Sequence, residues 1–164
     1  MEHLEIERKY LIRMPDAALL SRLPASEIEQ VYILSADGTR ERVRRRAYSD
    51  RTEYTHTAKK RVSELTRVER EEEIGEERYR ELLGRADPSR RPVRKTRLIY
   101  EYDAQPFEID VFPFWEDRAL MELELHDEDE EPRFPPGIEI IREVTHEGRY
   151  TNSAIAREIP REEI

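Results

Sequence analysis

The amino-acid sequence predicts an α+β chain that is mostly antiparallel β, with about eight strands closed into a barrel and a few peripheral helices. Two observations predict it. Like charges recur at a spacing of two in segment after segment, and apolar residues are scarce, 37% hydrophobic against 41% charged over 164 residues. In an extended strand residues i, i+2 and i+4 share a face, so each alternating set is one charged stripe. Disorder is the competing explanation for so lean a composition. It fails because the aliphatic and aromatic residues are patterned rather than scattered. A barrel with a charged interior needs apolar residues only on its outside and under a few helices.

The elements follow in order. Residues 3–12 form a strand with Glu5, Glu7 and Lys9 on one face and Leu4, Ile6 and Tyr10 on the other parity. Residues 15–23 form a short helix, with Pro15 near its start and Ala18, Leu19, Leu20 and Leu23 available for burial. A strand over 28–34 turns at Ala36-Asp37-Gly38 into a strand over 40–48, and Ser49-Asp50-Arg51 turns that into 52–61. A further strand covers 65–74. Residues 75–85 form a helix whose Tyr79, Leu82, Leu83 and Ala86 lie at helical spacing. Strands over 92–103, 107–112 and 119–126 complete the set, the first two joined at Ala104-Gln105-Pro106. Residues 138–145 are extended or irregular, and 152–157 form a short terminal helix. No repeat, heptad pattern or long linker divides the chain, which reads as one domain over 1–164.

A net charge of −9 and a pI near 5.1 argue against non-specific binding to nucleic acid or to anionic membranes. Cysteine is absent, which excludes disulfides and thiolate zinc sites. There is no apolar leader and no run of membrane-spanning length, so the expectation is a soluble cytoplasmic protein. The run Asp127–Glu131 is read as a solvated acidic loop. Oligomeric state is not legible.

The stripes carry the chemistry. Glu5, Glu7 and Lys9 open the series. Arg42, Arg44 and Arg46 follow, then Thr57, Lys59 and Arg61, and then Arg67, Glu69, Glu71 and Glu73. Lys95 with Arg97, Glu108 with Asp110, and Glu122 with Glu124 complete it. Two like charges about 6.6 Å apart repel by roughly 0.6 kcal/mol in water and about 2.5 kcal/mol at an effective dielectric of 20. Like-charged stripes therefore weaken a sheet unless they converge on a multivalent ligand. There is no Walker loop or dinucleotide fingerprint, so a phosphate would be held by side chains. Arginine suits that task through bidentate contacts. Of 29 basic residues only Lys9, Lys59, Lys60 and Lys95 are lysine, and three of these sit in the alternating motifs. Glu5, Glu7, Glu122 and Glu124 are the candidate metal ligands, and carboxylate oxygens suit Mg²⁺ or Mn²⁺. The four histidines show no metal spacing, and no nucleophile elbow is present.

Taken in order, these segments resemble the CYTH superfamily, the triphosphate tunnel metalloenzymes, which includes class IV adenylate cyclases and thiamine triphosphatases. Glu5-Ile6-Glu7-Arg8-Lys9 resembles the family's E-x-E-x-K opening, Gln30-Val31-Tyr32 its Q-G-Y, and Arg42-Val43-Arg44 its R-x-R. Thr57-Ala58-Lys59, Arg67–Glu73, Lys95-Thr96-Arg97, Glu108–Phe112, Glu122–Leu125, Glu143-Val144-Thr145 and Arg149–Asn152 continue the likeness. Val31 and Lys60 stand where the family often has glycine, and His146-Glu147-Gly148 differs from its usual acidic turn.

The resemblance implies an eight-stranded antiparallel barrel whose polar lumen is a tunnel for a triphosphate. It implies a metal-dependent hydrolase, with inorganic triphosphate as the first choice of substrate over a nucleoside triphosphate. Glu5, Glu7 and Glu124, with Glu122 beside them, would hold Mg²⁺ or Mn²⁺. Arg42, Arg44, Lys59, Lys95 and Arg97 would hold phosphates, and Lys9 with Tyr32 would orient or deprotonate water. Two other readings stand beside it: a class IV adenylate cyclase, and a non-catalytic module that binds polyphosphate or nucleotide. Trp115 and Phe114 are the aromatics available to stack on a base.

Overall fold

The computed structural model describes residues 2–35, 39–63 and 65–164, with side chains from residue 4 onward. The expected turn at Ala36-Asp37-Gly38 lies outside the described residues. Among the described residues nine strands are present: β1 (Glu2–Arg13), β2 (Ala25–Ile33), β3 (Arg40–Ala47), β4 (Thr52–Arg61), β5 (Thr66–Ile74), β6 (Val93–Tyr102), β7 (Gln105–Val111), β8 (Arg118–Glu124) and β9 (Ile140–Glu143). They run in the order β5-β4-β3-β2-β6-β7-β8-β1-β9, and β1 also pairs with β5. That extra pairing closes strands β1 to β8 into an antiparallel barrel. The long β1 makes closure possible, because its residues 2–6 pair with β5 while residues 7–13 pair with β8.

Three helices are short. α1 (Ala17–Leu20) is a single turn, shorter than the expected 15–23, while α2 (Glu76–Leu83) and α3 (Asn152–Ile155) lie close to their expected places. The β6–β7 hairpin turns on Asp103 and Ala104, both at positive φ (51° and 59°), and Pro106 is already in the ladder opposite Glu101. A two-residue turn with both φ positive matches the twist of the flanking strands, so this turn sits earlier than the proline suggests. Among the described residues no helix is long and apolar enough to cross a membrane.

The apolar residues form three layers. Outside the barrel, α2 places Tyr79 and Leu82 over Val31, Ile33 and Val43. On the other flank Leu20, Leu23, Ile138 and Ile140 cover Tyr10, Ile12, Phe107, Ile109 and Met121. The third cluster is internal. Leu11, Val93, Phe112 and Leu120 have the same parity as the charged stripes of their strands, Tyr32 lies opposite Arg42 in the ladder, and Trp115, Val144, Tyr150 and Ile155 pack against them. Beyond Lys9, then, the lumen becomes apolar, and the C-terminal segment plugs it. The acidic loop is exposed yet anchored, since Glu128 accepts hydrogen bonds from Ser63 and Thr66 on the β4–β5 hairpin (2.5 and 2.7 Å).

Candidate active site

Strand period places the site residues. In β2, β3 and β4 the register aligns Tyr32 with Arg42 and Arg42 with Thr57, then Gln30 with Arg44 and Arg44 with Thr55. In β1 and β8 it aligns Glu7 with Glu124 and Lys9 with Glu122. Between these walls lies a cavity of about 290 Å³, whose lining includes Glu7, Lys9, Tyr32, Arg42, Thr57 and Lys59. The β4–β5 end contributes Lys60, Arg61 and Arg67, β3 contributes Arg40, and the C-terminal segment contributes Thr145 and Tyr150 to Ser153.

The β2–β3–β4 wall is cationic and under-satisfied. Arg42 has no carboxylate within ion-pair reach among the described residues, and Arg44 has only Glu71 at 3.7 Å. The Nε atoms of both, the hydroxyls of Thr55 and Thr57 and both amide atoms of Gln30 are buried with no hydrogen-bond partner. Burial, then the neighbouring Arg42 and Arg97, push the Arg44 guanidinium down to about 10. Buried polar groups are normally satisfied, so a wall with this many open polar atoms can form hydrogen bonds with an anion or with water.

The opposite wall is satisfied. Asp110 accepts from Lys95 Nζ at 2.7 Å and from Arg97 at 2.8 and 2.9 Å, and Arg97 also reaches Glu108 at 3.0 Å. Burial alone would raise the Asp110 carboxyl, but Arg97 and Lys95 hold it well below the usual range. Lys95 also donates to Asn152 Oδ1 at 3.2 Å. Lys95, Arg97 and Arg44 are not in the cavity lining. Lys9 Nζ lies 3.1 Å from both Glu122 Oε1 and the Tyr150 carbonyl. Burial works against its charge, but Glu122 and Glu7 carry it above its ordinary value, so it is a fixed ammonium. Glu122 is brought down to about 2, Lys9 offsetting the burial that would raise it.

The acidic candidates divide. Lys59 Nζ is held by Glu5 at 2.8 Å and Glu69 at 3.3 Å. Glu7 has its nearest cation, Arg67, at 4.0 Å, and burial, then Glu122 and Glu5, raise its carboxyl to about 8. Glu124 is exposed beside it in the register. A carboxylate whose charged form is this disfavoured fits a hard divalent cation, and the donor set is all oxygen. Among the described residues no three His, Asp or Glu side chains converge as a ready cage. The carboxylates that could hold an ion such as Mg²⁺, one that keeps several waters, are Glu7 with Glu5, Glu122 and Glu124 around it.

Lys9 and Tyr32 line one cavity. Trp115 and Phe114 do not, since Trp115 sits in the plug and donates its indole N–H to the Pro160 carbonyl at 3.0 Å. Sequence reasoning passed over Arg40, Gln30, Thr55, Asp110 and Asn152 as site residues. Gln30 was within reach, because it shares the parity of Tyr32.

No family model matches the chain. The inorganic triphosphatase of Nitrosomonas europaea is 36% identical over 160 residues, which span 95% of this chain and 99% of that protein. The crystal structure of the inorganic triphosphatase NE1496 superposes with a TM-score of 0.59 at 32% identity, over 94% of this chain and 99% of that one. The PH1819 protein of Pyrococcus horikoshii OT3 shares the fold, with a TM-score of 0.55 at 20% identity over 76% of this chain and 80% of that one.

Proposed function

The chain belongs to the CYTH superfamily, the triphosphate tunnel family of the inorganic triphosphatase it matches, and from that premise we propose that it hydrolyses inorganic triphosphate in the barrel lumen with the help of a divalent metal. One observation carries the reading: buried guanidiniums with unsatisfied donors on the β2–β3–β4 wall, across a cavity from a carboxylate that burial disfavours.

Arg42 and Arg44, with the Thr57 hydroxyl, bind the polyanion in the ground state and keep their hold as charge moves toward the leaving oxygen. Arg40, Lys60, Arg61 and Arg67 draw it into the cavity. Lys59, Lys95 and Arg97 contribute positive potential while bound to Glu5, Asp110 and Glu108. Glu7, with Glu5, Glu122 and Glu124 around it, would hold Mg²⁺ or Mn²⁺, which would supply polarisation of phosphoryl oxygens and offset their charge. Tyr32, in the cavity that Lys9 also lines, orients water or takes its proton. The aromatic lining is limited to Tyr32 and Tyr150, both of which pack into the plug, and this favours an inorganic chain over a nucleotide.

Phosphate release from inorganic triphosphate, ATP and thiamine triphosphate, each with Mg²⁺, with Mn²⁺ and with chelator, tests this. The expected result is fastest release from inorganic triphosphate and none in chelator. Full turnover in chelator overturns the metal, and cyclic nucleotide formed from ATP overturns the hydrolase.

A further inference from the structure

The C-terminal segment has a second basic concavity that shares no lining residue with the tunnel. While Asn152 and Ser153 line the tunnel, Ala154, Arg157 and the residues after them line a crevice of about 430 Å³. Its cations are Arg91, Arg149, Arg157 and Arg161, and its one acid is Glu158. Arg149 is bound to Glu162 at 2.9 Å. The other three guanidiniums have no carboxylate within 4.0 Å among the described residues. Elsewhere on the surface Arg13, Arg51, Arg80 and Arg133 each hold an acid, while Arg22, Arg45 and Arg70 hold none among the described residues; the crevice differs in gathering three such guanidiniums. A chain of net charge −9 has acids to spare, so three unpaired guanidiniums in one hollow repel one another for no structural return.

The hollow is also built. The Arg91 backbone N–H donates to the Ala156 carbonyl at 2.7 Å, and the Trp115 indole anchors Pro160. These bonds fix the backbones that carry the cations. Ala154, Ile159 and Pro160 supply an apolar border, against which an ion pair is screened less than in open water.

We propose that this crevice is a second anion site, separate from the tunnel, for a small inorganic phosphate anion of several charges such as pyrophosphate. Forked guanidiniums match phosphoryl oxygens bidentately. The overall negative charge disfavours extended polyanions and anionic membranes, which would meet the whole surface rather than the hollow.

Calorimetric titration of the full chain with pyrophosphate, in the absence of divalent metal, decides it. Wild type should bind two equivalents, R157Q/R161Q one and R157K/R161K two. R42A/R44A, with the tunnel weakened, should keep one equivalent, and adding R157Q/R161Q should weaken that one at least tenfold. Equal stoichiometry in wild type and R157Q/R161Q overturns the proposal, even if R42A/R44A does not fold. So does a second equivalent that survives R157Q/R161Q. Absence of triphosphate hydrolysis would remove the proposed function and leave this titration untouched.

Discussion

The two walls of the barrel carry similar charges and treat them oppositely. On β6, β7, β8 and the second half of β1 every lumen cation meets an acid: Lys95 and Arg97 meet Asp110, Arg97 also meets Glu108, and Lys9 meets Glu122. On β2 and β3, Arg42 and Arg44 are left with open donors beside an unpartnered Gln30. On the paired wall the acids within the chain already meet these cations. On the open wall the donors stand ready for an anion, as the proposed function requires. A charged lumen residue is therefore not by that fact a ligand-binding residue, and its neighbours across the ladder decide.

The largest expected effect breaks the paired wall. Asp110→Ala leaves Lys95 and Arg97 buried without their shared acid, and breaking such a pair costs about 3–5 kcal/mol, read as a fall in Tm or in denaturant midpoint. Arg44→Ala should cost no stability, because it removes a guanidinium that Arg42 and Arg97 already repel. Equal destabilisation by the two substitutions would erase the distinction between the walls.

Activity should show the reverse ranking. Arg44→Ala removes a donor to the polyanion and should lower kcat/KM by about 10²–10³-fold. Glu7→Gln keeps the shape and removes a ligand charge, with a fall of at least about 10²-fold, or roughly 2.7 kcal/mol. Chelator should abolish release in wild type and in Glu7→Gln alike. Phosphate-release kinetics on folded variants check both, and an Arg44→Ala enzyme with wild-type kcat/KM would leave the open wall without a task.

Much of this was legible in the sequence, for a physical reason. Period-two charge survives any strand register, so the stripes and their shared lumen could be read from Glu5-x-Glu7-x-Lys9 and Arg42-x-Arg44 alone. Pairing across strands depends on register, and one dimension does not state it. Lys95 and Arg97 therefore read as phosphate ligands, and their pairing with Asp110 across the hairpin was not legible. The plug was illegible because Leu11, Val93, Phe112 and Leu120 continue the charged parity with apolar side chains. Only the C-terminal segment folding back over them explains that switch.

Ligand binding sharpens the contrast at a smaller scale. An anion that satisfies the open wall binds the native state alone, and stabilises it by about 2.7 kcal/mol at a hundredfold excess over Kd. For a chain of this size about 1 kcal/mol moves Tm by roughly 2–4 °C. Triphosphate should raise the Tm of wild type and of a folded Lys95 variant, and raise that of Arg44→Ala far less. An equal rise in Arg44→Ala would show that the anion is held elsewhere.

The smallest effect comes from a cluster of paired charges near solvent. Glu162 accepts from Arg142 at 2.5 Å, from Arg149 at 2.9 Å and from the Tyr150 hydroxyl, and it ties the chain terminus over the plug. The Arg142 bond, then the Tyr150 bond, bring its carboxyl down to about 2. A carboxyl lowered in the folded state stabilises above its unfolded value, near 4.5, and the contribution is lost as pH falls through about 2. Asp110 has the same sign, so acid weakens both. Salt separates them. Glu162 has 24% of its side chain exposed against 2% for Asp110, so the first pairing is screened and the second is not. Glu162→Gln should cost about 1 kcal/mol at pH 7 in low salt and less in 1 M salt, whereas the cost of Asp110→Ala should not change with salt. Melting curves of both variants at two salt concentrations check this. A salt-insensitive Glu162→Gln would place the terminus with the buried scaffold.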